Sequence, residues 1–313
     1  MSSVRPERGR QGRLRGALVV IGCMVALGSG LVALSRPWRA SSGPVRPRIV
    51  SLNPCSDAIL AEVADPDQIL AISSYSKNPD EASLSPAAAA RFPSTRGTVE
   101  EVVALQPDLV IDGAYAAPSS VTAFGRLGIR FETMGTQRSV ADTEADVRRV
   151  AALAGHPERG EVLVRRMETA LAAAAPPADF TPLDAVMWEG GGIVAGDDTL
   201  IGDLMSRTGF TNVAGREGFQ QADLYPLERL LAAPPRVLMT SGSGRALHHP
   251  ALAALHETTR ADMPQNLLYC GGPTVIRTAG WLAALREAVR RGEKNVSGRK
   301  PADERGLAER GLS

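Results

Sequence analysis

From Arg48 onward, short apolar runs alternate with polar loops marked by Gly or Pro. The runs "IVSL" (49–52), "ILAIS" (69–73), "PDLVID" (107–112) and "IRFETM" (129–134) have the length of strands, with a short helix after the first and another over 118–128. That order predicts a parallel α/β sheet. The period changes at Ser139. Apolar residues then fall at Val147, Val150, Ala151 and Ala154, and again at Val162, Val164, Met167 and Leu171, which is helical spacing. "GHP" at 155–157 separates a first helix from a second of about 18 residues, roughly 27 Å long at the helical rise. "PPADFTP" ends it, and α/β alternation resumes with strands "DAVMWE" and "RVLMTSG" and helices near 199–208 and 275–291.

The pattern therefore predicts an N-terminal α/β lobe over 45–139, a helical spacer over 140–176 and a C-terminal α/β lobe over 183–292. The second lobe repeats part of the first: "VEEVVALQPDLVI" (99–111) aligns without a gap on "LERLLAAPPRVLM" (227–239), an offset of 128 residues. Two similar halves facing each other across a helix make a cleft. The tail, 293–313, is charged with few large apolar residues and is expected to be disordered.

What precedes the lobes sets the compartment. Five arginines (Arg5, Arg8, Arg10, Arg13, Arg15) stand against Glu7, and residues 16–35 then run without a charge. This makes 1–40 an export signal or an N-terminal membrane anchor, with the arginines cytoplasmic and the lobes outside the inner membrane. "ALS" before Arg36 and "WRA" before Ser41 offer cleavage sites, and "VIGC" loosely matches a lipidation site at Cys23. Cleavage, retention and lipidation stay open, so the lobes are periplasmic either free or tethered by 16–35. Net charge is +1 with signs interspersed, which leaves no electrostatic footprint for nucleic acid.

The chain from about 47 to 290 resembles the substrate-binding proteins of bacterial ABC importers for cobalamin, ferric siderophores and haem. "RIVSLNPCSDAIL" is similar to that family's opening strand and loop, "GTVEEVVALQPDLVI" to its characteristic helix and strand, and "LIGDLMSRTGFTNVAG" to its second-lobe signature. The resemblance implies two Rossmann-like lobes joined by one long rigid helix. It implies a monomer that carries a corrinoid or iron chelate to an ABC permease and its ATPase, with no resident cofactor and no enzymatic activity. "ISSYSKNP" (72–79) resembles the loop of cobalamin-binding members in which a tyrosine lies against the corrin, which places Tyr75 in the cleft and favours cobalamin over haem or a ferric siderophore. Against that, the tryptophans that sandwich the corrin in the best-known cobalamin binder are replaced by Gly113 and "STRG" (94–97). In "RTAGWL", Arg277 matches the family's arginine, while Gly280 and Trp281 replace its proline and second basic residue.

The resemblance also assigns roles. Glu100 and Glu228 fall where the family carries a glutamate on top of each lobe to meet permease arginines. Exposed charges on a rigid body steer docking, although each glutamate also suits the first turn of a helix. Asn53, Pro54 and Cys55 occupy the first cleft loop. Trp188, in "MWEGGGIVAG", begins the second lobe's first cleft loop, where glycines let backbone approach a bulky ligand; a core position at a strand end is equally open. Tyr115 and Tyr225 are cleft candidates by position, and Tyr269, beside "LL", reads as core. Cys55 and Cys270 admit three readings: a disulfide between lobes, a soft ligand from Cys55 to cobalt or iron, or two half-buried thiols.

Enzyme motifs are scarce. The sequence has no G-x-G-x-x-G after a strand, no G-x-x-x-x-G-K-[ST] and no G-x-S-x-G. "TSGSGR" (240–245) leaves an exported hydrolase as the alternative from another class. His248, His249 and His256 are clustered without a local acidic partner, so no metal site is assigned to them.

Overall fold

The computed structural model describes residues 46–79 and 82–296. The expectations for the export segment, Cys23 and the tail beyond 296 lie outside the described residues. In the first lobe β1 (Ile49–Ser51), α1 (Pro54–Val63), β2 (Ile69–Ser73), α2 (Pro86–Ala90), β3 (Ser94–Thr95), α3 (Val99–Ala104), β4 (Leu109–Asp112), α4 (Pro118–Arg126) and β5 (Arg130–Thr133) follow in order. The strands form one parallel sheet, ordered β3-β2-β1-β4-β5. Helix starts are written locally. Asn53, Ser85 and Thr98 each turn a side-chain oxygen onto the first free amides of α1, α2 and α3.

α5 (Val140–Leu153) and α6 (Pro157–Ala174) join the lobes, with Pro157 opening the second helix after "GH". The second lobe holds β6 (Leu183–Glu189), β7 (Ile193–Val194), α7 (Leu200–Arg207), β8 (Phe210–Asn212), α8 (Val213–Arg216), β9 (Asp223–Leu224), α9 (Leu227–Ala232), β10 (Val237–Ser241), β11 (Thr259–Asp262), α10 (Thr274–Arg290) and β12 (Asn295–Val296). Its sheet is ordered β12-β11-β10-β6-β7-β9, with β8 pairing the start of β6. β6 and β10 to β12 are parallel; β7 and β9 are antiparallel additions.

Two expectations are corrected. The alternation predicted no antiparallel strands, because β7 and β9 are two residues each and leave no periodic signal. Residues 293–296, expected to open the tail, are structured. Glu293 accepts a hydrogen bond from Thr259 Oγ1 at 2.9 Å, and Asn295–Val296 adds a strand beside β11.

The repeat read from the sequence is a structural unit: α3-β4 and α9-β10 are both a short helix, a Pro-containing turn and a central strand. The link is more than a tether. α6 packs against α1 and α10 as well as α5, and one apolar cluster runs from Ile49, Ile59 and Leu109 through Val147, Leu163 and Met167 to Met187, Met239 and Leu282. Truncating a fully buried link side chain such as Met167 to Ala costs ~2–5 kcal/mol, so moving one lobe against the other means opening shared core.

Candidate functional site

In parallel sheets ligands gather at the carboxyl ends of the strands, and a cavity of about 430 Å³ opens at that edge of the first lobe. Its wall comes from the ends of β1 (Asn53), β4 (Asp112, Gly113) and β5 (Met134 to Gln137), with Tyr269 contributed by the second lobe.

Each part is held locally. The Asn53 side-chain oxygen accepts from Cys55 N at 2.8 Å, which caps α1. Its amide nitrogen leaves no room opposite: a Cβ on Gly113 would lie 2.5 Å from Asn53 Nδ2. A side chain at 113 would therefore require the Asn53 amide to move. Asp112 Oδ1 accepts from the Gly113 amide at 2.7 Å, and burial pushes its carboxyl above the usual range. Gln137 faces two ways: its Nε2 donates to Asp146 at 3.0 Å, and its Oε1 accepts from Gly271 N of the second lobe at 2.8 Å.

The sulfurs of Cys55 and Cys270 are bonded to each other, with Cα atoms 5.1 Å apart. The disulfide joins the first turn of α1 to the loop ahead of α10, lobe to lobe. The soft-ligand reading of Cys55 is corrected, because a sulfur held in a disulfide offers no thiolate to a metal. Cys55 instead forms part of the cavity wall.

Of the other residues expected at the site, Asn53 lines the cavity, and Pro54 serves as the first residue of α1. Tyr75 is 64% exposed on the 3-10 turn Ser74–Lys77 that follows β2, outside the cavity wall. That turn hangs on Asp57, whose Oδ2 accepts from Ser73 N at 3.0 Å and from Ser76 Oγ at 2.6 Å. Arg277 points across the lobes and donates to the Ser83 carbonyl at 2.6 Å.

Trp188 is a correction. It is 1% exposed, its indole donates to the Tyr225 carbonyl at 3.1 Å, and it packs in the second lobe's own cluster with Val186, Leu230 and Leu238. Its glycines are corrected with it. Gly191 and Gly192, at φ +90° and +79°, close the tight hairpin from β6 to β7 instead of opening backbone to a ligand. Tyr225, also 1% exposed, is core and donates to Glu217 at 3.2 Å. Tyr269 is corrected the other way: expected in the core, it is 49% exposed on the cavity wall. Tyr115 is 92% exposed there. Two signals could have found the missed residues. Asp112 ends a buried strand at the ligand edge, and Tyr269 precedes a cysteine that must reach Cys55 once the disulfide is drawn.

Glu100 and Glu228 occupy equivalent first-turn positions of α3 and α9. Both are exposed, and neither carboxylate has a hydrogen bond or ion pair among the described residues. Their neighbour Glu101 differs: it accepts from Thr95 Oγ1 at 2.7 Å and Arg96 N at 2.8 Å, which holds its carboxyl below the usual range.

A family model described as periplasmic binding protein matches residues 49–268. A cobalamin-binding protein of Halobacterium salinarum is 26% identical over 212 residues, which cover 66% of this chain and 57% of the relative. The chain thus spans a little over half the length of that curated relative. Among solved structures, the periplasmic heme-binding protein RhuT from Roseiflexus sp. RS-1 is 24% identical with a TM-score of 0.63, over 77% of this chain and 97% of that one. The vitamin B12 binding protein BtuF of Vibrio cholerae is 18% identical with a TM-score of 0.62, over 79% and 100%. At these identities the likeness to the solved structures is one of fold.

Proposed function

The chain belongs to the periplasmic binding protein family, and from that premise we propose that it captures cobalamin between its lobes and delivers it to an ABC permease powered by an ATPase. The family consists of substrate-binding transport proteins, and membership implies a periplasmic location. Among the described residues no helix is long and apolar enough to cross a membrane.

One observation carries the choice of ligand. The cavity presents Tyr115, Tyr269, Asn53, Gln137, Ser120 and Thr136, and among the described residues that line it none is a lysine, arginine or histidine. A corrin rim is dressed mostly with neutral amides, which such donors and acceptors can pair. A haem brings two propionates, and placing them beside the half-buried Asp112 carboxyl sets like charges against each other. The 26% identical cobalamin-binding relative supports the same reading.

In the proposed mechanism the ligand enters a preformed cleft, because shared core along α6 and the inter-lobe bonds of Gln137 and Arg277 oppose hinge closure. Flat tyrosine rings give contact area at low entropic cost. Cobalamin is cargo, so no resident cofactor enters the scheme. The loaded monomer then docks through Glu100 and Glu228, whose carboxylates are exposed on the first turns of α3 and α9.

The test is a calorimetric and absorbance titration with cyanocobalamin, hemin and a ferric siderophore. Tight binding of cyanocobalamin is expected; binding of hemin or the siderophore alone would overturn the ligand while leaving the family intact. Charge reversal at both glutamates should abolish uptake and leave ligand affinity unchanged, and a fall in affinity would sink the separation of roles.

A further inference from the structure

We infer that the Cys55–Cys270 disulfide is a latch that sets the cleft at its binding width and holds Tyr269 on the cavity wall, so that the oxidised chain is the high-affinity form. The ligand part of this inference rests on the function proposed above; the latch itself does not.

The disulfide closes across 215 residues of sequence, and it ties the first turn of α1 to the loop before α10. The residues around it are laid on the first lobe with no slack. Gly271 donates its amide to Gln137, and a Cβ there would meet Thr143 Oγ1 at 2.5 Å. A Cβ on Gly272 would meet Ile59 Cγ1 at 2.8 Å. Gly271 and Gly272 are therefore seated tightly against Gln137, the start of α5 and α1, and Tyr269 is the residue of that loop that faces the cavity.

The latch also lies where a ligand would cover it. Cys55 is half-buried and lines the cavity, while Cys270 is 3% exposed, so a reductant reaches the bond from the cleft side. A dithiol reductant supplies two electrons and two protons, leaving two protein thiols and its own disulfide. Linkage then runs both ways. If the closed bond strengthens ligand binding tenfold, bound ligand makes the bond harder to reduce by the same factor, about 30 mV for a two-electron couple. Without the bond the lobes stay joined by the core along α6, so what is lost is the fixed aperture and not the fold.

The experiment uses the full chain in three forms: oxidised, reduced after folding, and Cys55→Ser/Cys270→Ser. Thiol titration should show two additional thiols on reduction, beyond that of Cys23. Without ligand, amide exchange at Gly271 should rise tenfold or more in the reduced and variant forms while Met187 and Leu109 in the central strands keep their protection. With cyanocobalamin as the probe, affinity should fall about tenfold, the expected scale for losing preorganisation at one wall, and the ligand should slow reduction of the oxidised form. Unchanged exchange at Gly271, or exchange that rises equally everywhere, would overturn the latch. If exchange responds locally but neither cyanocobalamin nor hemin binds the oxidised chain, the latch stands and the ligand reading falls.

Discussion

At the ligand edge of the first lobe, Tyr75 and Tyr115 project into solvent, 64% and 92% exposed. At the corresponding edge of the second lobe, Trp188 and Tyr225 are each 1% exposed. The two lobes share the helix-strand unit of α3-β4 and α9-β10, yet their aromatic residues go to different uses. The physical cause is the antiparallel addition. In the second lobe the chain leaving β6 turns back through Gly190–Gly192 into β7, and β9 lies beside that strand, so the backbone of Tyr225 takes the Trp188 indole bond. In the first lobe β1 runs straight into α1, and among the described residues that lobe adds no antiparallel strand beside its sheet. A duplicated scaffold therefore does not duplicate the site, and an aromatic at a strand end marks a ligand only where no neighbouring strand covers it.

The strongest way to break this comparison is Trp188→Ala. As a fully buried side chain whose indole N–H is satisfied, it should cost ~3–5 kcal/mol in urea unfolding. A loss below about 1 kcal/mol would mean that Trp188 faces solvent or ligand after all.

Asp57 sharpens the contrast from the other side, since it anchors the exposed turn that carries Tyr75. Burial raises its carboxyl to about 7, against the opposing pull of its serine hydrogen bonds and the Lys77 charge. The folded-state value lies above the unfolded one, so the native state binds more protons between about pH 4 and 7 and stability declines as pH rises through that window. The decline attributable to Asp57 should be roughly 2–4 kcal/mol, and Asp57→Asn should flatten it. A variant whose stability keeps the wild-type slope across that interval would remove Asp57 as the anchor.

Smallest in stability and most informative about the ligand are the exposed tyrosines. Tyr115→Ala should change unfolding free energy by less than ~0.5 kcal/mol while weakening cyanocobalamin binding about tenfold, or ~1.4 kcal/mol. Tyr75→Ala, outside the cavity wall, should weaken it less. The reverse order in calorimetry would move the ligand from the β4 and β5 edge toward the β2 turn.

Much of the scaffold was legible along the chain. Apolar runs of strand length, the helical period from Val147 to Leu171 and the breakers at 155–157 depend on neighbours within a few residues, and the structure places elements where those signals lie. The repeat was legible for the same reason, and it put Glu100 and Glu228 on matching helix starts. Two-residue strands such as β7, β9 and β12 were not legible, because two residues carry no period.

What the sequence determined by itself was the alternation of elements, the division around α5 and α6, and the break at 155–157 between those two helices, since each is a local property of the chain. Whether Trp188 is core and Tyr269 is surface, which thiols meet, and that Asn53 stands where a side chain at 113 would be were decided only by the tertiary structure. Exposure and pairing depend on what packs across a position, and at Cys55 the deciding residue lies 215 positions away.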